Sequence, residues 1–142
     1  MVIVIVLVVA VVAVVAVALV VRRAAGAARA RIAAAVDGLE VLRQAKANFF
    51  GVASKGTKQV RGLGTLVLTP DALVFLQLVP AVEVRVPRSA ITGIEVTTSF
   101  LGKTQGRDLL VVEWTTADDS PGTDQVAFDV PELDGWRAAL SD

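Results

Sequence analysis

The chain opens on a run with no polar position: Val2 to Val21 consists only of Val, Ile, Leu and Ala. As a helix this run measures about 30 Å, the thickness of a bilayer's hydrocarbon core. In water so much Val and Ile would favour a strand. In hydrocarbon every backbone N–H and C=O must be satisfied within the segment, and a lone segment manages that only as a helix. The run holds twelve Val, two Ile and two Leu, each favouring insertion by about 0.3–0.6 kcal/mol at a helix centre. Residues 1–21 are therefore read as a transmembrane helix. A cleaved signal peptide fits less well, since nothing basic precedes the run, the run is long, and Arg22-Arg23 follows it directly.

Residues 22–48 are rich in helix formers and carry no Pro. Ile32, Val36, Leu39 and Leu42 recur at spacings of four, three and three, which predicts one narrow apolar face. Such a helix could lie along the headgroups with Arg29, Arg31, Arg43 and Lys46 flanking the stripe. It could instead form a stalk packed on the following domain or on a second copy, and a stalk continuous with the span is favoured.

From Phe49 the period changes to two, which sets the expected start of a domain at 49–142. Val82-Glu83-Val84-Arg85-Val86 and Val126-Ala127-Phe128-Asp129-Val130 alternate without error, and Ile94 to Thr98 and Leu109 to Trp114 do so in part. Turn chemistry separates the runs at Thr69-Pro70-Asp71, Pro80-Ala81, Pro87-Arg88-Ser89, Gly102 to Gly106 and Ser120-Pro121-Gly122. Seven strands are expected, near 49–54, 59–68, 72–79, 82–86, 91–98, 108–114 and 125–130. A final helix follows, with Pro131 at its first position, acids in its first turn, and Leu133, Trp136 and Leu140 on one face. Gly135 costs that helix about 1 kcal/mol against Ala, so docking of Trp136 must hold it. The fold class is α+β, mainly β.

Charge adds an orientation. Arg22, Arg23, Arg29 and Arg31 follow the span and no Lys or Arg precedes it, so the positive-inside rule puts residues 22–142 in the cytoplasm and a one-residue tail outside. These arginines are also candidate contacts to anionic headgroups. The zero net charge hides a division: residues 22–61 carry +7 and residues 62–142 carry −7. The acidic part would repel phosphates, which disfavours a nucleic-acid partner. Cys and His are absent, which excludes disulfides, thiol chemistry, zinc sites of the Cys/His kind and His-based proton transfer. No cofactor and no enzymatic activity is expected.

Seven short strands followed by one amphipathic helix resembles the pleckstrin-homology superfold, in which two nearly orthogonal sheets form a partly open barrel plugged by the helix. The stretch Gly64-Thr-Leu-Val-Leu-Thr69, Leu73-Val-Phe75, Val84-Arg-Val86-Pro87, Ile91 and Ile94-Glu95 is similar to its GRAM and bacterial PH-like branch. The resemblance implies binding of lipid headgroups, peptides or proteins. In phosphoinositide-binding members the first hairpin supplies the basic residues, which implies Lys55, Lys58 and Arg61 as headgroup candidates here. Two spacers stand between Lys58 and Arg61 where those members have one, and strand alternation would turn the two side chains to opposite faces.

Gly51 to Lys58 approaches a P-loop but ends Thr-Lys and lacks a following helix. Asp118, Asp119 and Asp124 lack the terminal Glu of an EF-hand and include Pro121 among them. The expected function is a membrane-anchored, non-catalytic binding or scaffolding module in the inner (plasma) membrane. It would face the cytoplasm and recognise a protein partner through a sheet edge or a groove beside the final helix. The alternatives are an anionic-lipid-binding module, or a carrier of a small apolar ligand within the barrel.

Overall fold

The apolar run and the basic stretch after it form one helix, α1 (Val2–Ala35), in a computed structural model that describes residues 1–117 and 122–142, with side chains except those of Ala28 and Ala35. At 34 residues it is about 51 Å long. It is long and apolar enough to span a membrane, and none of its apolar window is buried within the protein. It belongs to a unit of its own, Met1–Asp37, separate from the unit Gly38–Asp142.

The helix ends sooner than its composition suggests. Val36 N–H bonds the Ile32 carbonyl at 3.1 Å, and Gly38 takes a φ of +69° that leads the chain out of the helix. The expected helix over 36–48 is not formed, and the second unit's first strand, β1 (Arg43–Val52), begins six residues before Phe49. The reason is visible in the strand itself. Gln44, Lys46 and Asn48 turn to one face, and Ala45, Ala47 and Phe49 turn to the core. Alanine disguises that alternation because it also suits a helix, and pairing with a neighbouring strand overrides the propensity.

The other strands are β2 (Gly62–Leu68), β3 (Ala72–Gln77), β4 (Val82–Pro87), β5 (Ile91–Phe100), β6 (Lys103–Thr115) and β7 (Thr123–Asp129). They form one antiparallel sheet, ordered β4-β3-β2-β1-β7-β6-β5 and curled into a half-barrel, the seven-stranded, partly open arrangement expected. β1 joins the halves. It pairs with β2 over Arg43–Phe49 and with β7 over Asn48–Val52, and the register shifts between Phe49 and Gly51. A bulge of this kind bends a strand and raises its twist, and Gly51 accommodates it at φ +129°.

The concave side is filled. Phe75 stacks on Phe49 with ring centroids 5.3 Å apart, and Phe128 lies 5.1 Å from Phe75. A smaller apolar cluster of Phe50, Phe100, Leu109, Val111 and Ala127 occupies the convex side beneath Leu101.

A short helix, α2 (Leu133–Ser141), closes the concave side with Trp136 and Leu140 buried. It starts two residues after Pro131, because Val130 is buried in the core just past the end of β7 and Glu132, at φ +54°, makes the turn. Arg43 secures it. The guanidinium lies 5.4 Å from the Trp136 ring centroid and its Nη2 donates to Glu132 Oε2 at 2.9 Å. The same guanidinium explains Gly135: a Cβ there would sit 2.4 Å from Arg43 Nη2. Gly135→Ala is therefore expected to destabilise the domain by about 1 kcal/mol despite alanine's helix propensity. In an Arg43→Ala background the same change is expected to be neutral or stabilising. Chemical denaturation of the four chains in a double-mutant cycle measures this, and an equal effect in both backgrounds would remove Arg43 as the cause.

Candidate functional site

The first hairpin does not fold as the sequence suggests. β2 begins at Gly62, so residues 56–61 form a loop after a short 3-10 turn at Ala53–Lys55. Lys58 and Arg61 therefore lie outside any strand, and the expectation of opposite strand faces does not apply. Three internal ties shape the loop. Gln59 donates through Nε2 to the Val52 carbonyl at 2.7 Å and accepts the Val52 N–H at 2.9 Å. Asp124 accepts from Ser54 N–H at 3.0 Å and Ser54 Oγ at 2.5 Å, so this one of the three aspartates braces a loop. Asp118 and Asp119 lie outside the described residues.

Arg61 is the third tie. Its guanidinium carbon lies 5.1 Å from the Phe50 ring centroid, and Nη1 donates to Gln105 Oε1 at 3.4 Å. Lys55 and Lys58 are exposed, and among the described residues neither makes an ion pair. Val60 and Leu63 beside them are each 64% exposed. The loop and its two ends thus present two exposed ammonium groups and two apolar side chains, with Arg61 engaged by its own domain.

Arg22, Arg23, Arg29 and Arg31 all lie on α1 past the apolar run. At 100° per residue Arg22 and Arg29 share a side, Arg31 lies opposite and Arg23 about a quarter-turn away. The arginines ring the helix and form no single cationic face. That arrangement suits a helix leaving the headgroups as a stalk better than one lying among them.

Sequence reasoning missed one feature. An open cleft of about 500 Å³ lies where β1, β6 and the link from β7 to α2 meet, and its lining includes Lys46, Leu63, Arg107, Asp108 and Pro131. Its floor is a polar chain. Asn48 Nδ2 donates to Gln105 Oε1 at 3.2 Å, Gln105 Nε2 donates to Asp129 Oδ2, and Arg107 Nη1 stands 3.7 Å from the same oxygen. The lining mixes both charges, as does the whole unit: Gly38–Asp142 holds ten Lys or Arg against thirteen acids, a net of −3. The division between +7 and −7 along the sequence therefore falls inside the domain and does not separate the two units.

No family model matches the chain, and no curated protein does. Among solved structures it is similar to the C-terminal domain of an unknown protein from Leishmania infantum, at a TM-score of 0.51 and 16% identity. The match covers 76% of this chain and 86% of that one. At that identity the likeness concerns the fold alone.

Proposed function

We propose that this chain is a single-span membrane protein that displays a non-catalytic, PH/GRAM-like binding module on the cytoplasmic side of the inner (plasma) membrane. There the module recognises a protein partner. One observation carries the reading: an exposed apolar helix is joined to a domain whose concave side is packed with aromatic rings. The helix supplies location, and the filled interior leaves recognition to the surface, which favours a surface partner over an internal apolar ligand. Seven antiparallel strands closed by one C-terminal helix support the PH-like assignment, as does the pairing of its pattern residues: the Phe75 ring lies where a Cβ on Gly64 would be. Fold alone does not decide what is bound.

A second reading rests on the loop. Lys55 and Lys58, with exposed Val60 and Leu63, could make a further contact with an anionic leaflet, each cation contributing about 1 kcal/mol near the surface.

Photo-crosslinking groups at Lys58, Glu83 and Arg107 of the full chain in cell membranes separate the readings. Discrete protein adducts that vanish when Val2–Val21 is deleted are expected. Adducts with lipid alone, concentrated at Lys58, would remove the protein partner and leave the second reading.

A further inference from the structure

The sheet has an open edge in its middle. Thr69 N–H bonds the Ala72 carbonyl, which makes that opposite pair a hydrogen-bonded one. Hydrogen-bonded pairs alternate along an antiparallel ladder, so Leu68, Leu66 and Gly64 direct their backbone groups away from β3 and towards β1. Their partners there are Arg43, Ala45 and Ala47. It follows that Gln44 and Lys46 direct their N–H and C=O to the opposite side, where β7 should stand. β7, however, leaves the ladder after Asp129, opposite Asn48. Continued in register, Pro131 would face Lys46, and a proline has no N–H to give.

The pairing of β6 with β7 likewise stops at Leu110 and Phe128. Thr116 N–H bonds the Gly122 carbonyl, and the same alternation aims the Asp108 backbone into the gap. The ladder between β1 and β7 has no pair at Gln44 or Lys46. The cleft described above opens between these two banks. Unpaired strand groups bordering a cleft form a template for an added strand.

Resting on the reading of the chain as a protein-binding module, we propose that this gap is the recognition site and that it takes an extended peptide segment of the partner. The segment pairs through its backbone with Gln44 and Lys46 and lays an apolar side chain on exposed Leu63. Lys46 and Arg107 stand against Asp108, Asp129 and Glu132 around it, and Glu132 is paired with Arg43, so the occupant is a segment of little net charge and salt hardly changes its binding. The docking is specified by main-chain pairing, as a split in a sheet dictates.

The test uses the full chain in lipid nanodiscs and random linear peptides selected on it. In the free chain the amides of Gln44 and Lys46 are expected to exchange rapidly, and those of Ala45 and Ala47, bonded to β2, slowly. A selected peptide should protect the first pair. Gln44→Pro removes an N–H that β2 does not use and should weaken that peptide by about tenfold, the effect of one or two lost hydrogen bonds. Lys46→Ala and added salt should each change binding by less than about twofold, as backbone recognition requires. Protection of Gln44 and Lys46 before any peptide is added would overturn the proposal. So would protection that appears with chain concentration alone (a second copy as occupant), or failure to select any peptide that protects them. Should Gln44→Pro fail to fold, the exchange pattern of the unaltered chain decides. Protein adducts from Lys58 or Glu83 in cells, without any from Arg107, would retain the protein-binding reading and reject this site.

Discussion

Replacing Trp136 with alanine is expected to destabilise the domain by about 3–5 kcal/mol, the range for emptying a buried large aromatic site. The expectation is strong because Trp136 does more than fill volume. α2 is only nine residues long, too short to persist as an isolated helix in water, and Trp136 and Leu140 are its two buried side chains. Without the indole, Arg43 loses the ring it lies over, and the helix loses its anchor over the Phe49, Phe75 and Phe128 rings. Against a typical domain stability of about 5–15 kcal/mol, such a loss removes a large share of what holds the domain folded. Denaturant titration of the full chain in micelles, followed through the remaining Trp114, provides the number. A change under about 1 kcal/mol, the size of an ordinary substitution, would mean that α2 is not part of the folded core.

The second large effect is expected at Gly64, and it comes from adding an atom. A Cβ at this position would lie 2.4 Å from the Leu76 carbonyl oxygen and 2.5 Å from the Phe75 ring. The carbonyl belongs to the sheet's backbone, and the ring is stacked at 17° on Phe49, so neither can yield without disturbing the core. Gly64→Ala is therefore expected to cost about 3 kcal/mol, the upper part of the range for overpacking. Gly93→Ala is the matched control. Its Cβ would meet Glu113 Cβ at 3.7 Å, an ordinary contact, and its effect should stay within about 0.5 kcal/mol. Equal unfolding midpoints for the two variants would show that Phe75 does not sit over Gly64.

These two sites also show how much of the fold was legible in the sequence. α1 was legible because an unbroken apolar run of that length has one solution in lipid. The strand at Val82–Pro87 is legible because it has one wet and one dry face, so period two is written in the residue types, whereas β7 is buried on both faces at Val126, Ala127 and Phe128 and shows its period only through Gln125 and Asp129. The first half of β1 was not legible, because its inward positions are Ala45 and Ala47 and alanine reports neither face nor period. The bulge between Phe49 and Gly51 adds a further slip, because it leaves one extra residue in β1 and breaks the alternation where the strand turns to a new partner. Gly135 reads as a defect in a helix from the local sequence, because Arg43, which occupies the space above it, lies ninety-two positions earlier.

The candidate site was less legible still. Lys55 and Lys58 could be named because charge on a turn is visible in one dimension, whereas the packing of Arg61 on Phe50 depends on where the loop folds back. The gap between β1 and β6 arises from three strands ending out of step, a property of register. The one local signal was Pro131. Read as the first residue of a helix, it also marks where β7 can no longer donate to β1, and that second consequence appears only once β1 is known to start at Arg43.

The central claim is that α1 holds the chain in the membrane and keeps the domain on the cytoplasmic side. Since the chain has no native cysteine, one engineered at the exposed position Lys58 reports on both parts at once. Lys58→Cys in membranes of intact cells is expected to resist a membrane-impermeant maleimide and to react fully after permeabilisation, with the chain in the membrane fraction throughout. Labelling in intact cells, or recovery of the chain in the soluble fraction, would contradict the account.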